Sequence, residues 1–125
     1  MAKVMGFDHV TIIVKDADAA LAFYQSLLDL KLLERPNLAF PGYWVDLFAG
    51  QSLHIMQLPN PNEGITRPKH GGRDYHFALR VDSIEFYANK LSKMGHPFTL
   101  SQSGRKALFV RDLDGNGLEL FEYTA

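Results

Sequence analysis

The chain has 125 residues, 46% of them hydrophobic, so it can bury one ordinary core but is too short for two full-sized domains. Its net charge of −1 argues against nucleic acid or an anionic membrane as the main partner. The absence of cysteine excludes disulfides and thiolate chemistry, so any metal must be held by nitrogen and oxygen ligands. No apolar run could cross a bilayer or serve as a signal region, and we therefore expect a cytoplasmic protein.

The first half of the chain predicts a strand, a helix and three further strands. A β-branched run favours the first strand, and acidic capping residues followed by apolar residues at helical spacing favour the helix. The expected bounds are a strand over 7–14, a helix over 17–28, and strands over 31–34, 43–49 and 53–58.

The second half repeats this order after a segment rich in proline, glycine and asparagine, residues 59–73, which predicts a linker. A strand over 75–81 and a helix over 83–94 are followed by three strands, the last two joined by a turn over 112–117. We therefore expect a single α+β domain over 1–125, with one βαβββ module at about 6–58 and a second at about 74–125.

Each module carries two candidate metal ligands at matched places. His9 and His76 lie in the first strands, and His54 and Glu119 follow them by 45 and 43 residues in the last strands. Because side chains alternate along a strand, the apolar neighbours of these residues would face the helices and leave all four ligands on the uncovered face. A single histidine on such a strand is more often a packing residue, but the repetition favours one shared divalent metal: Zn, Ni, Fe(II) or Mn.

Several cations lie in loops or at strand ends where a substrate carboxylate or phosphate could be bound. The alternative for each is ordinary solvated surface charge. The set is Arg35, Arg67, Arg73, Arg105, Lys106 and Arg111, and we choose Arg73 and Arg105 for substrate contact. A group of aromatic residues could line an apolar pocket or belong to the core: Phe40, Tyr43, Trp44 and Phe48.

Three segments carry a resemblance to a known family: His9-Val10-Thr11, the segment that opens with His76, and the closing stretch 111–119, in which Leu113 replaces a usual proline. Over nearly its whole length the chain resembles the vicinal oxygen chelate superfamily. The resemblance implies paired βαβββ modules, curved mixed sheets with a concave metal-site face, and a homodimer with sites built across the interface. It maps His9, His76 and Glu119 onto the family's three metal ligands and His54 onto a fourth ligand position.

The resemblance also frames the expected function, a metal-dependent lyase or isomerase of the glyoxalase type acting on a small, oxygen-rich, anionic substrate. Catalysis is expected at His54, which could bind the metal or act as a base, and at Glu119, with Thr11 in contact with substrate. Glyoxalase I carries a carboxylate where this chain has His54. Two alternatives stay open: an extradiol-type Fe(II) dioxygenase, although Phe109 replaces its usual tyrosine, and a non-catalytic antibiotic-binding dimer like the bleomycin-binding proteins.

Overall fold

The computed structural model describes residues 1–124 and divides the chain into two compact units, Met1–Asn60 and the part from Pro61 onward. Each unit has one four-stranded mixed sheet and one helix, so the predicted α+β class with two βαβββ modules is confirmed. The sheets are curved and do not close into barrels. The elements of the first unit are β1 His9–Val14, α1 Ala17–Leu28, β2 Leu32–Leu33, β3 Gly42–Asp46 and β4 Ser52–Gln57.

The first sheet has the strand order β1-β4-β3-β2, with β1 parallel to β4 and the remaining pairs antiparallel. Helix α1 begins where the Asp16 carboxylate accepts a hydrogen bond from the Ala19 amide, and it ends at Asp29 in the left-handed region. Its buried face packs in a core with the inward side chains of β1 and β4. The core contains Ile12, Val14, Ala20, Phe23, Tyr24, Leu27, Leu53 and Ile55.

The second unit contains β5 His76–Val81, α2 Ile84–Met94, β6 Phe98–Leu100, β7 Ala107–Arg111 and β8 Gly117–Glu122, preceded by a 3-10 turn at Gly71–Arg73. The strand order β5-β8-β7-β6 repeats that of the first sheet, again with the first strand parallel to the last. Helix α2 is capped by Ser83 and ends at Gly95. Its only buried residue is Leu91, whereas α1 buries five.

The strand register places the candidate ligands at equivalent positions in the two sheets. In the first, His9 pairs with Ser52, so His54 is two residues further along β4. In the second, His76 pairs with Gly117, and Glu119 is likewise two residues further along β8. Strands β3 and β7 place an aromatic residue opposite each of these positions: Trp44 lies opposite His54, and Phe109 lies opposite Glu119.

Helix α1 has the predicted bounds, whereas the strand predicted over 43–49 is shorter than expected. It ends at Asp46, whose carboxylate accepts a hydrogen bond from the Phe48 amide, and Phe48 and Ala49 then turn with φ angles of 70° and 52°. A side chain that bonds its own backbone two residues ahead favours a turn over a continued strand. None of the helices within residues 1–124 is long and apolar enough to span a membrane.

Candidate active site

The two histidines of the first unit form a stack of rings with Trp44. The His9 and His54 ring centroids are 4.1 Å apart with an angle of 12° between the planes. The Trp44 ring lies 4.2 Å from the His54 ring at 3°. Side-chain oxygens orient both imidazoles: Asp8 lies 2.7 Å from His9 Nδ1, and Ser52 Oγ lies 3.0 Å from His54 Nε2.

This stack limits what the two imidazoles can coordinate together. An imidazole nitrogen coordinates a metal in the plane of its ring, at about 2.0–2.1 Å for zinc. Because the planes of His9 and His54 face each other, a cation in the plane of one ring lies off the plane of the other. In this arrangement at most one of the two serves as a ligand, and His9, with Nδ1 against a carboxylate, has the arrangement typical of one.

Partial burial lowers the pKa of His54 below its ordinary value of 6.5, and the neighbouring His9 and Arg35 act in the same direction. Desolvation disfavours the protonated imidazole, so His54 is a neutral ring near pH 7. A neutral imidazole can accept a proton from a substrate.

In the second unit, His76 and Glu119 point directly at each other. His76 Nδ1 lies 2.8 Å from the carbonyl oxygen of Asp74, and His76 Nε2 lies 3.1 Å from Glu119 Oε1. Glu119 is buried, with 7% of its surface exposed. The apposed pair therefore comprises a buried carboxylate and a fixed imidazole.

The hydrogen-bonding chemistry of this pair fits a bound cation. A carbonyl oxygen only accepts, so the proton of neutral His76 belongs on Nδ1, and Nε2 then presents a lone pair to the carboxylate. Two acceptors 3.1 Å apart repel each other unless a proton or a metal ion lies between or beside them. His76 and Glu119 thus have the donor types and the orientation that an imidazole-carboxylate metal site requires.

Asp74 holds the backbone against which His76 is oriented. Its carboxylate lies 2.8 Å from the guanidinium groups of both Arg67 and Arg111. The hydrogen bonds from Arg67 first, and then from Arg111, lower the Asp74 pKa from 3.8 to about 2. Arg111 also donates to the carbonyls of Gly115 and Pro68, so it links the linker to the final hairpin and is not free to bind substrate.

Phe109 packs against His76 of the His76–Glu119 pair. Its ring meets His76 edge-on at 5.2 Å and His70 edge-on at 5.0 Å, and the Phe109 Cβ lies 3.1 Å from where a Cβ on Gly71 would be. A larger residue than glycine at 71 would therefore crowd the Phe109 side chain at its Cβ. Phe109 fixes the His76 ring by packing and offers it no hydroxyl group.

The residues predicted to contact substrate occupy different surroundings. Thr11 is exposed and pairs with His54 across the first sheet. The Arg105 guanidinium lies 4.0 Å from the Phe121 ring centroid, on the sheet face that also carries Glu119. Arg73 is exposed at the end of the 3-10 turn.

Sequence reasoning missed two features of the second unit. Asp74 gave no signal, because its role depends on arginines 7 and 37 residues away. Arg80, whose guanidinium lies 4.2 Å from the Tyr123 ring centroid, shares the sheet face of Glu119. Its alternation with Ala78 and His76 along β5 is the signal that could have found it.

Across residues 1–124, no group of three or more His, Asp or Glu side chains is gathered to hold a metal ion. The structure instead provides one candidate ligand pair in the second unit, His76 with Glu119, and one candidate ligand in the first, His9. The joining of His9 and His54 with His76 and Glu119 in one site stays a prediction.

The chain is similar to known proteins over most of its length. The sequence model of the Glyoxalase/Bleomycin resistance protein/Dioxygenase superfamily matches residues 6–120. A lactoylglutathione lyase from Haemophilus influenzae is 31% identical over 126 residues, covering 91% of this chain and 90% of that protein.

Solved structures share the fold. A glyoxalase family protein from Bacillus anthracis superposes with a TM-score of 0.78 at 22% identity, covering 99% of both chains. The E126Q mutant of the fosfomycin resistance protein FosX from Listeria monocytogenes, complexed with Mn(II) and 1S,2S-dihydroxypropylphosphonic acid, gives 0.74 at 20% identity, covering 98% of this chain and 95% of that one. At these identities the likeness establishes the fold.

Proposed function

Because the chain belongs to the Glyoxalase/Bleomycin resistance protein/Dioxygenase superfamily, we propose that it is a metal-dependent lyase or isomerase of the glyoxalase type. The observation that carries the proposal is the His76–Glu119 pair, a buried carboxylate 3.1 Å from an imidazole whose other nitrogen is engaged by a carbonyl. The similarity to a lactoylglutathione lyase supports the choice within the superfamily.

The proposed ligands are His9, His76 and Glu119, and the proposed assembly is a homodimer. A divalent ion held by these groups would supply Lewis-acid stabilisation to negative charge on adjacent substrate oxygens. Imidazole and carboxylate ligands suit Zn, Ni, Fe(II) and Mn, and the Mn(II) bound by FosX supports the divalent class.

His54 is the proposed base. Its ring is fixed between His9 and Trp44, and its stacked geometry is unsuited to sharing a ligand position with His9. A neutral imidazole here would take a proton from a substrate carbon next to a carbonyl and return it to the neighbouring carbon, which is an isomerisation. Glu119 has the second catalytic role, as the carboxylate that complements the charge of the metal site.

An anionic substrate is the proposed class. Arg105 and Arg80 share the sheet face of Glu119, each lying over an aromatic ring that limits its motion. The FosX complex, which contains a phosphonic acid, supports an anionic ligand within this superfamily. We therefore propose that Arg105 contacts the substrate. Arg73 and Thr11 are further proposed contacts, since both side chains are exposed.

The direct test loads the metal-free protein separately with Ni, Zn, Mn and Fe(II). We expect near-stoichiometric uptake by elemental analysis, and conversion of a hemithioacetal of a 2-oxoaldehyde to the 2-hydroxyacyl thioester by at least one metal form. Uptake below about a tenth of an equivalent, unchanged in His76→Ala, would contradict the metal site. Oxygen consumption with a catechol by the Fe(II) form, without thioester formation, would replace the lyase with a dioxygenase.

A further inference from the structure

Arg35 lies in the first unit with most of its hydrogen-bonding capacity unused. Its Nη2 donates to the Phe40 carbonyl at 2.9 Å, and its guanidinium carbon lies 5.1 Å from the centroid of the Phe40 ring. Within residues 1–124 this is its one hydrogen bond, and no carboxylate forms an ion pair with it. Its Nε is buried and has no acceptor. A guanidinium has five N–H donors, and those on Nη1, with the second on Nη2, have no acceptor within residues 1–124. Because Nε is enclosed, these terminal N–H groups are the ones for which a ligand in the cleft could supply acceptors.

The Arg35 side chain borders an open cleft of about 500 Å³. The wall combines apolar side chains with a few polar groups, as small-molecule sites do. The lining residues are Asp18, Arg35, Asn37, Leu38, Ala39, Phe40, Pro41, Gly42 and Tyr43. Asp18 is the one acidic residue among them, and its carboxylate accepts a hydrogen bond from the Tyr43 hydroxyl.

Gly42 is what allows Arg35 to lie against the sheet. A Cβ at this position would be 2.3 Å from the Ile55 carbonyl oxygen and 3.0 Å from Arg35 Nη2, so no larger residue fits. Gly42 pairs with Met56 and lies two residues before Trp44 on β3. By strand alternation Gly42 therefore shares the face that carries Trp44 and His54, and it opens that face to the guanidinium.

We propose that Arg35 is the anchor of an anion-binding subsite in this cleft, which takes the carboxylate or phosphoryl group of a small organic molecule. The planar fork of a guanidinium matches an oxyanion, and its free N–H groups find acceptors in it. The apolar wall formed by Leu38, Phe40 and Pro41 would hold the uncharged body of the ligand. The identification of this ligand as the substrate rests on the proposed function, whereas anion binding by Arg35 does not require the metal.

The test measures anion binding to the metal-free protein, with acetate and methylphosphonate as separate probes in NMR titrations. We expect saturable shifts of the Arg35 Nε–H resonance and of the Phe40 and Gly42 amides. Arg35→Gln should weaken binding at least tenfold, and Arg35→Lys, which keeps the charge but loses the fork, at least threefold. Lys31→Gln, which removes an exposed cation from the same unit, is the matched control and should leave binding unchanged. The tighter probe identifies the class of anion.

Equal affinities in wild type, Arg35→Gln and Arg35→Lys would overturn the proposal, as would shifts confined to residues after Pro61. If Arg35→Gln does not fold, Arg35→Lys decides the question by the same criteria. Because the measurement uses metal-free protein, failure of the subsite is distinguishable from failure of the proposed metal chemistry, which is tested by metal uptake and turnover.

Discussion

The two units place different chemistry at equivalent positions of the same sheet topology. In the first, the histidine of the first strand stacks flat on His54, with ring centroids 4.1 Å apart. In the second, the equivalent histidine points its Nε2 at the Glu119 carboxylate, 3.1 Å away. The aromatic neighbour differs in the same way: Trp44 lies parallel to His54, whereas Phe109 meets His76 edge-on at 85°.

The difference shows that one change of residue type alters what a ligand position can do. In the second unit, the carboxylate points at the imidazole, and the two groups can bind one cation together. In the first unit, the imidazole at the same position stacks on the other ring, so the two rings do not point at one cation. His76 and Glu119 are accordingly the better candidate for a metal-binding pair. In the proposed function, the first unit contributes one ligand, His9, and His54 serves in proton transfer.

The largest expected effect comes from Glu119→Gln, which keeps the size of the side chain but removes the charge of a proposed ligand. We expect metal affinity to fall by more than about 100-fold, beyond the loss typical of outer-shell changes. Competition with a chelator of known affinity measures it. The matched variant in the first unit, His54→Gln, should lower affinity by less than about tenfold. Equal losses in the two variants would mean that His54 is a full ligand and would remove the proposed division of roles.

The second prediction concerns turnover. His54→Ala should reduce kcat by about 10²- to 10⁴-fold while metal content stays near one equivalent, because a positioned base contributes rate enhancement of that order. Trp44→Phe is the control, since it retains a flat ring beside position 54 without affecting the imidazole. If His54→Ala retains wild-type kcat, the base lies elsewhere.

Local sequence signals were sufficient for most of the fold. The bounds of α1 follow from the Asp16 cap and the apolar spacing after it, and the alternation in β1 and β5 gave the correct face for His9 and His76. The prediction that strand β3 runs to residue 49 was wrong, because the Asp46 side chain bonds the Phe48 amide and turns the backbone. Hydrophobicity does not reveal that a side chain competes with the strand for this amide.

The site was only partly predictable from sequence. Residue type and repetition identified His76 and Glu119 as candidates, but the orientation of each ring depends on contacts distant in the chain. The stacking of Trp44 on His54 and the two arginines on Asp74 result from sheet register and loop placement. Arg111 was one of six plausible substrate cations in the sequence, and only the structure shows its donors engaged by Asp74, Pro68 and Gly115.

The third prediction compares the residues that hydrogen-bond to Nδ1 of the two histidines, Asp74 at His76 and Asp8 at His9. Asp74→Asn should lower metal affinity about tenfold by loosening the carbonyl that orients His76, and lower the free energy of unfolding by about 2 kcal/mol through loss of charged hydrogen bonds. Asp8→Asn, which changes a mostly exposed carboxylate beside His9, should leave stability unchanged.

The Asp74 substitution should also change acid stability. The folded-state pKa of about 2 lies below the ordinary 3.8, so the contribution of Asp74 is present above pH 4 and is lost as the pH falls from about 4 toward 2. Urea denaturation across that window should show a smaller pH slope in Asp74→Asn than in wild type. Parallel slopes would contradict the assigned role of the two arginines.

The smallest expected effect concerns the first turns of the two helices. In each unit, the side chain of the last residue of β4 or β8 accepts a hydrogen bond from the first amide of the helix. Gln57 Oε1 accepts from the Ala17 amide at 2.9 Å, and Glu122 Oε1 accepts from the Ile84 amide at 3.0 Å. The Ile84 hydrogen bond lowers the Glu122 pKa below 4.5, so this carboxylate stabilises the fold above that pH and loses its effect as acid protonates it. Glu122→Gln should therefore reduce stability slightly at pH 7 and narrow the stability difference between pH 7 and pH 4, whereas Gln57→Glu should widen it. Thermal unfolding at the two pH values measures the stability of both variants. Helix α2 buries only Leu91, whereas α1 buries five residues, so the start of α2 depends more on this hydrogen bond than the start of α1 does.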